Sequence, residues 1–314
     1  MRRRITKAFF ATAAAGATIT TLGLAASPAG AASHGTKAFT PTGTILGTNA
    51  NCAQSDPPVP ADNCGRDGYQ ATGRTFRFAQ ALIDIPNHTG VKTTDAEYYV
   101  ALDNSGTSTW QYARVGLAPC PSGTTAILAP GATATTCPLV GVGNTSGWVA
   151  FTATADVGSL PVVTTHPISA ASMGDGVLVN VYEVPTGQSV QTTITLPNGT
   201  TYNNSFTISG LTYTKAQAVQ DFTETVENGG AQPAPAVPAV KTRDTQFFQG
   251  RFTTTSGARG TFNGPWTVDA LEATSNGSLP PSGTLIGQPS YLWNDGSGFN
   301  GMGDDAFGVW RFPF

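Results

Sequence analysis

The 314-residue sequence predicts an all-β fold of the sandwich or barrel kind. Short runs rich in Thr, Val, Tyr and Phe recur from Thr75 onward between clusters of Gly, Pro and Asn, which is the pattern of strands joined by turns. Helical periodicity is nearly absent, with Lys215 to Val219 offering at most one turn. Between two alternating stretches, Pro197-Asn198-Gly199-Thr200 supplies the Asn-Gly pair whose positive φ angles suit a tight hairpin.

The candidate strands in chain order are Tyr98 to Asp103, Thr109 to Leu117, Gly147 to Thr154, Val177 to Glu183, Ser189 to Leu196, Asn204 to Ile208, Gln220 to Glu227, Gln246 to Thr254 and Ala306 to Phe312. Residues 32–74 are polar, carry Pro57-Pro58-Val59-Pro60, and read as an irregular lead-in or a propeptide. The β domain is expected over 75–314. Within it, Gly229 to Val240 reads GGAQPAPAVPAV, a proline-rich extended loop. A boundary there would strand a short C-terminal piece, so one domain with a long loop is preferred.

The first 31 residues read as a signal peptide. Arg2, Arg3, Arg4 and Lys7 precede an apolar stretch from Ala8 to Ala26, and the small residues Ala29-Gly30-Ala31 follow. A membrane anchor needs about 20 strongly apolar residues, and Thr12, Thr18, Thr20 and Thr21 dilute this span. Cleavage after Ala31 is expected, giving a secreted, extracellular protein with no membrane span. Losing the segment's four basic residues leaves 12 of the 16 against 19 acids, a net charge of −7. That balance lacks the basic footprint of nucleic-acid binding, and it suits a surface working in acid.

Four cysteines, Cys52, Cys64, Cys120 and Cys137, lie in the mature chain, an even number in an oxidising compartment. Three pairings can be drawn. Joining neighbours, Cys52 with Cys64 and Cys120 with Cys137, closes two short loops, each worth roughly 3 kcal/mol on the chain-entropy account. A metal site is disfavoured because paired CxxC spacing and local histidines are missing.

The three histidines, His34, His88 and His166, have no ligand or catalytic partner at motif spacing. No G-x-S-x-G, H-E-x-x-H or phosphate-cradling loop occurs, and no cofactor or metal is expected. Asp295-Gly296-Ser297-Gly298, with Asp304 and Asp305, misses the spacing of a calcium loop and reads as a solvated turn. Carboxylate, amide and hydroxyl chemistry is what remains. Alternation over Gln220 to Glu227 sets Glu224 beside Phe222 and Val226 on one face. A carboxyl among apolar neighbours has its pKa pushed upward and can act as a general acid or base.

The order of segments resembles the glutamic peptidases, or eqolisins. Tyr99-Val100-Ala101-Leu102-Asp103 resembles their W-V-G-I-D strand, and the next strand into Val115-Gly116 resembles the one bearing their catalytic glutamine. Gly147-Trp148-Val149-Ala150-Phe151 is similar to their aromatic strand, and Met173-Gly174-Asp175-Gly176-Val177 to their G-D-x-I-x-V. Thr223-Glu224-Thr225-Val226-Glu227 falls where the family has A-E-W-I-V-E, and Asp305 to Trp310 is similar to its last strand.

The resemblance spans Tyr98 to Phe312. It implies a lectin-like, concanavalin-type sandwich of two antiparallel sheets and a secreted acid endopeptidase acting as a monomer on protein or peptide. In that implied site Glu224 is base and acid, an amide donates to the oxyanion, and Trp110, Tyr112 and Trp148 line the cleft.

Two departures stand out. Aligning Val115-Gly116 puts Arg114 where the glutamine belongs, and an arginine there would hold Glu224 ionised. A shifted register offers Gln111, but alternation groups Gln111 with Ala113 and Val115, opposite Trp110, Tyr112 and Arg114. Thr225 also replaces the family's tryptophan. The competing expectation is a non-catalytic sandwich that binds a polymer or protein through Trp110, Tyr112, Arg114 and Trp148.

Overall fold

The computed structural model describes residues 41–49, 66–86, 97–104, 111–126, 128, 132–156, 159–184, 188–208, 212–221, 226–227, 242–274, 278–283, 285–294 and 305–311. In chain order the strands are β1 Thr44–Asn49, β2 Arg66–Thr72, β3 Phe76–Asp84, β4 Glu97–Asp103, β5 Tyr112–Pro119, β6 Thr125–Ala126, β7 Thr135–Thr136, β8 Trp148–Ala155, β9 Val162–Pro167 and β10 Gly176–Glu183. They continue as β11 Ser189–Thr195, β12 Thr201–Thr207, β13 Lys215–Asp221, β14 Val226–Glu227, β15 Thr242–Thr254, β16 Arg259–Gly260, β17 Thr267–Thr274, β18 Leu285–Pro289 and β19 Phe307–Arg311. Two single 3-10 turns, Val140–Val142 and Ala170–Ser172, are the only helical pieces among the described residues.

One hydrogen-bonded path runs β12-β11-β10-β3-β15-β19-β18-β17-β2-β13-β4-β5-β8-β9. Every pairing along it is antiparallel, and β1 joins β17 in parallel at the side. The path folds over so that β3, β10 and β11 pack face to face on β4, β5 and β13, making a two-layer antiparallel sandwich. Alternation drives this packing. In β10 every second residue is buried, and Val177, Val179 and Val181 meet Val100, Leu102, Ala113, Val115 and Leu117 in one core. The outer strand β12 is exposed or half-buried throughout, as a polar edge should be.

Strands β4, β5 and β8 are buried on both faces. Their second face joins Tyr99, Ala101, Tyr112, Val149, Phe151 and Val219 in a separate cluster. Gly116 of β5 is required there, because a Cβ on it would lie 2.6 Å from the Tyr99 Cα and 2.0 Å from the Tyr98 carbonyl oxygen.

The hairpin at Asn198-Gly199 forms, but of the pair expected at positive φ only Gly199 takes it. Gly199 has φ +82°, the Leu196 amide donates to the Thr200 carbonyl at 2.9 Å, and Asn198 Oδ1 accepts from the Thr200 amide at 2.9 Å.

Other expectations are corrected. The stretch expected as an irregular lead-in supplies β1 and β2, and β2 sits inside the sheet between β13 and β17. Lys215 to Val219 is strand, not a helical turn, because Ala216 and Ala218 enter the core at period two. The strand expected over Gln220 to Glu227 is divided: β13 ends at Asp221, and Val226–Glu227 pairs with Thr125–Ala126 in a small second sheet, β14-β6-β7.

Cys120 and Cys137 are joined, with Cα atoms 5.3 Å apart. The Asn144 side-chain amide braces the same loop by donating to the Cys120 and Pro138 carbonyls at 2.9 and 2.8 Å. Cys52 and Cys64 lie outside the described residues. The chain divides into two units, Met1–Ser33 and His34–Phe314, and every described residue belongs to the second.

Candidate functional site

The face of β4, β5 and β13 that points away from the inter-sheet core carries Arg114 and Tyr112 of the side chains singled out by the sequence. Alternation in β5 sends Ala113, Val115 and Leu117 into that core and Tyr112 and Arg114 to the opposite face. In register, Arg114 lies across from Ala101 of β4, and Ala101 lies across from Gln217 of β13. Arg114 is 0% exposed, and its guanidinium carbon is 4.7 Å from the ring centres of both Tyr99 and Tyr112. Each contact is a cation–π interaction, worth up to about 2 kcal/mol when desolvated.

A charged cluster continues from this sandwich. The Tyr99 hydroxyl and Arg66 Nε both donate to Asp221 Oδ2 at 3.0 Å, and Arg66 and Asp221 form a buried ion pair. Burial alone would push the Arg66 guanidinium down. Tyr99 pushes it up, the like charge of Arg114 opposes, and Asp221 and Asp103 add to the rise, so the net shift is upward. Glu97 and Asp103 lie buried on the same strand face.

Beside the cluster a polar ladder crosses three strands in register: Gln217 Nε2 donates to Gln70 Oε1 at 3.3 Å, and Gln70 Nε2 donates to Asp269 Oδ2 at 3.3 Å. Thr72 Oγ1 donates to the same carboxylate oxygen at 3.4 Å.

The structure brings together Arg114 and Tyr112 of the expected set. Gln111 is buried just ahead of β5, and its side chain ties the strand ends together. Its Nε2 donates to Asp156 Oδ1 at 2.5 Å, and its Oε1 accepts from Asn104 Nδ2 at 3.2 Å. Trp148 lies in the inter-sheet core, 5.9 Å from the Tyr98 ring. It is thus on the opposite side of the sheet from Tyr112, because Trp148 pairs with Pro119 in the row that shares its face with Leu117 and Ala150. Glu224 and Trp110 fall outside the described residues, as do Asp295, Gly298 and Asp304.

Sequence reasoning missed Arg66, Tyr99, Asp221 and Gln217. The signal was present in Glu97-Tyr98-Tyr99-Val100-Ala101-Leu102-Asp103, where alternation separates an apolar row from a row of Glu97, Tyr99 and Asp103.

Chemically, this face holds a fixed positive charge against two rings, neutral amides, and the Asp221 carboxylate paired with Arg66. A guanidinium stays protonated at any working pH, so Arg114 is a fixed charge on this face. Among the described residues no cluster of metal-ligating side chains occurs.

No known family model and no curated protein matches the sequence. Solved structures similar in chain course include scytalido-glutamic peptidase with a transition state analog inhibitor, at 13% identity and TM-score 0.47, over 78% of this chain and 97% of that one. The same peptidase with a peptide based transition state analog follows, at 13% identity and TM-score 0.44, over 78% and 97%. SCP-B, a member of the Eqolisin family in complex with the tripeptide Ala-Ile-His, matches at 13% identity and TM-score 0.41, over 78% and 96%. At this identity and these TM-scores the likenesses assign this chain no activity and no residue roles.

Proposed function

We propose that this chain is an exported, non-catalytic β-sandwich that binds an extracellular polymer, on a scaffold whose segment order resembles the glutamic peptidases. The observation that carries the reading is Arg114, fully buried with its guanidinium between the rings of Tyr99 and Tyr112. The resemblance asks for a neutral amide at this position. A buried cation there keeps nearby carboxyls ionised, which removes the protonated form that a general acid must reach. The amides that cross the face, Gln217 and Gln70, already bond each other. The binding reading needs no cofactor.

The second reading is a secreted acid endopeptidase with Glu224 as base and acid and Gln111 as oxyanion donor. The order of motif-like segments from Tyr98 to Phe312 favours it. It requires the Gln111 amide to leave Asp156, its partner at 2.5 Å. It also requires the cleft to use aromatic groups other than Trp148.

Peptide release separates the two. On the binding reading, Arg114→Gln lowers stability by about 2–4 kcal/mol, since it removes two desolvated cation–π contacts of up to about 2 kcal/mol each, and releases no peptides from denatured casein at pH 3 to 5. On the peptidase reading the parent itself releases peptides under these conditions, and Glu224→Gln or Gln111→Ala abolishes the release. Such release by the parent would overturn the proposal.

A further inference from the structure

The outer face of the other layer holds a groove of about 420 Å³ among β3, β10, β15 and β16, lined by Arg77, Arg251, Arg259, Phe78, Gln80 and Tyr182 together with residues beneath them. Three arginines in one groove are a quarter of the 12 basic residues that the mature chain retains against 19 acids. None of the described residues lining it is acidic. Three guanidinium groups give this groove a positive field on an otherwise acidic protein.

Strand register explains how the residues meet. Arg259 lies across from Thr253, Thr253 from Phe78, Phe78 from Tyr182, Tyr182 from Gln191 and Gln191 from Ser205. A second row runs Arg251, Gln80, Asn180, Thr193, Asn203. Residues directly across a sheet share a face, and Ala79, Val181 and Phe252, one step out of phase, enter the core. The two rows cross β15, β3, β10, β11 and β12, five strands at about 4.8 Å spacing, which makes a track of about 19 Å. It begins with guanidinium groups and aromatic rings and continues in amides and hydroxyls.

Two irregularities flank the arginines. Phe76 and Phe78 pair with consecutive residues Thr254 and Thr253, leaving Arg77 as the extra residue of a bulge. On β15 the pairing steps from Phe248 to Arg251 while β3 advances only from Leu82 to Gln80. Within that second bulge Gln249 holds φ +52°, a left-handed conformation that non-glycine residues seldom take. Bulges re-aim side chains and gather at working sites, and backbone strain is retained where the site uses it.

We infer that this track binds an acidic polysaccharide, its carboxylates paired with Arg77, Arg251 and Arg259 and its sugar rings resting on Tyr182 and Phe78. Guanidinium forks match carboxylates in two-point contact, aromatic faces take the apolar side of a sugar ring, and the amide and hydroxyl rows meet ring hydroxyls further along. The length of the track fits a polymer and exceeds a single small anion. Arg77 also faces Glu183, whose carboxyl it draws downward against the upward push of burial, so Arg251 and Arg259 are the better residues to vary.

The inference rests on the binding reading and names its ligand. Calorimetric titration of the mature chain with oligogalacturonate is the test, beside its methyl ester, dextran sulfate and poly-glutamate. Binding is expected for the uronate, lost on esterification, and weakened about tenfold or more by Arg251→Gln with Arg259→Gln, and by Tyr182→Ala alone. Equal thermal midpoints of the variants and the parent show that the fold is kept. Uronate affinity unchanged by these variants, or equal for the methyl ester, would overturn the assignment. So would binding only to dextran sulfate or only to poly-glutamate. Loss of the track leaves the non-catalytic reading standing, whereas Glu224-dependent proteolysis removes that reading whatever the uronate does.

Discussion

Arg114 keeps its charge out of water with its guanidinium set against the rings of Tyr99 and Tyr112. The sequence placed an arginine at the decisive position of β5 and sorted Tyr112 with it, since a period of two is all that this requires. It left Arg66, Tyr99 and Asp221 out of view because they come from three separate strands, and only pairing brings them together. Gln111 shows the opposite limit. Its amide was legible as chemistry, but its bonds to Asp156 and Asn104 depend on how the ends of the strands meet.

Burial pushes the Glu183 carboxyl up, with Arg77 opposing, and burial also pushes Glu272 up. A carboxyl raised in the fold favours folding in its protonated form. Its contribution is therefore full below the ordinary carboxylate pKa and is lost as pH rises through the raised value. Glu183→Gln should stabilise the protein at pH 7.5 and make little difference at pH 4, as urea midpoints at the two values will read. Burial lowers His166, stacked 3.7 Å from the Tyr202 ring. Its contribution runs the other way, present above its ordinary pKa and lost as pH falls through the lowered one.

Strands were legible where Val, Thr, Tyr and Phe crowd a short run. Val177 to Glu183 and Ser189 to Leu196 alternate plainly, and β10 and β11 follow them within a residue or so at each end. Tyr98 to Asp103 was legible as β4 although both its faces are covered. The polar appearance of Arg66 to Thr72 hid β2, whose Arg66, Gln70 and Thr72 bond to neighbouring strands. The apparent continuity of Gln220 to Glu227 failed for a related reason, since nothing local tells the chain to leave the main sheet after Asp221 and rejoin Thr125–Ala126.

The disulfide closes the stretch that carries β6 and β7. Its span of 17 residues corresponds to about 3 kcal/mol by the loop-entropy estimate. Replacing Cys120 and Cys137 together by serine should lower stability by about that amount while preserving the main sheet, as urea melts and amide exchange of β4 and β5 will read.

For the molecule as a whole, the position of β2 bears on processing. A propeptide ending near Thr75 would take with it a strand hydrogen-bonded to both β13 and β17 and open the sheet between them. We propose that the secreted protein begins at Ala32 or within a few residues of it, which amino-terminal sequencing will decide. A start near Thr75 would contradict the architecture drawn here. Among the described residues no helix is long and apolar enough to cross a membrane.

On the function proposed, this sandwich binds without cutting. The test is the rate at which the purified mature chain releases acid-soluble peptides from denatured casein between pH 3 and 5, measured beside Glu224→Gln. A general acid-base residue contributes about 100-fold to 10,000-fold to rate, so the two accounts are far apart. The binding account predicts equal, background release from both proteins. Release by the parent at least about 100-fold above Glu224→Gln would contradict it and establish the peptidase reading instead.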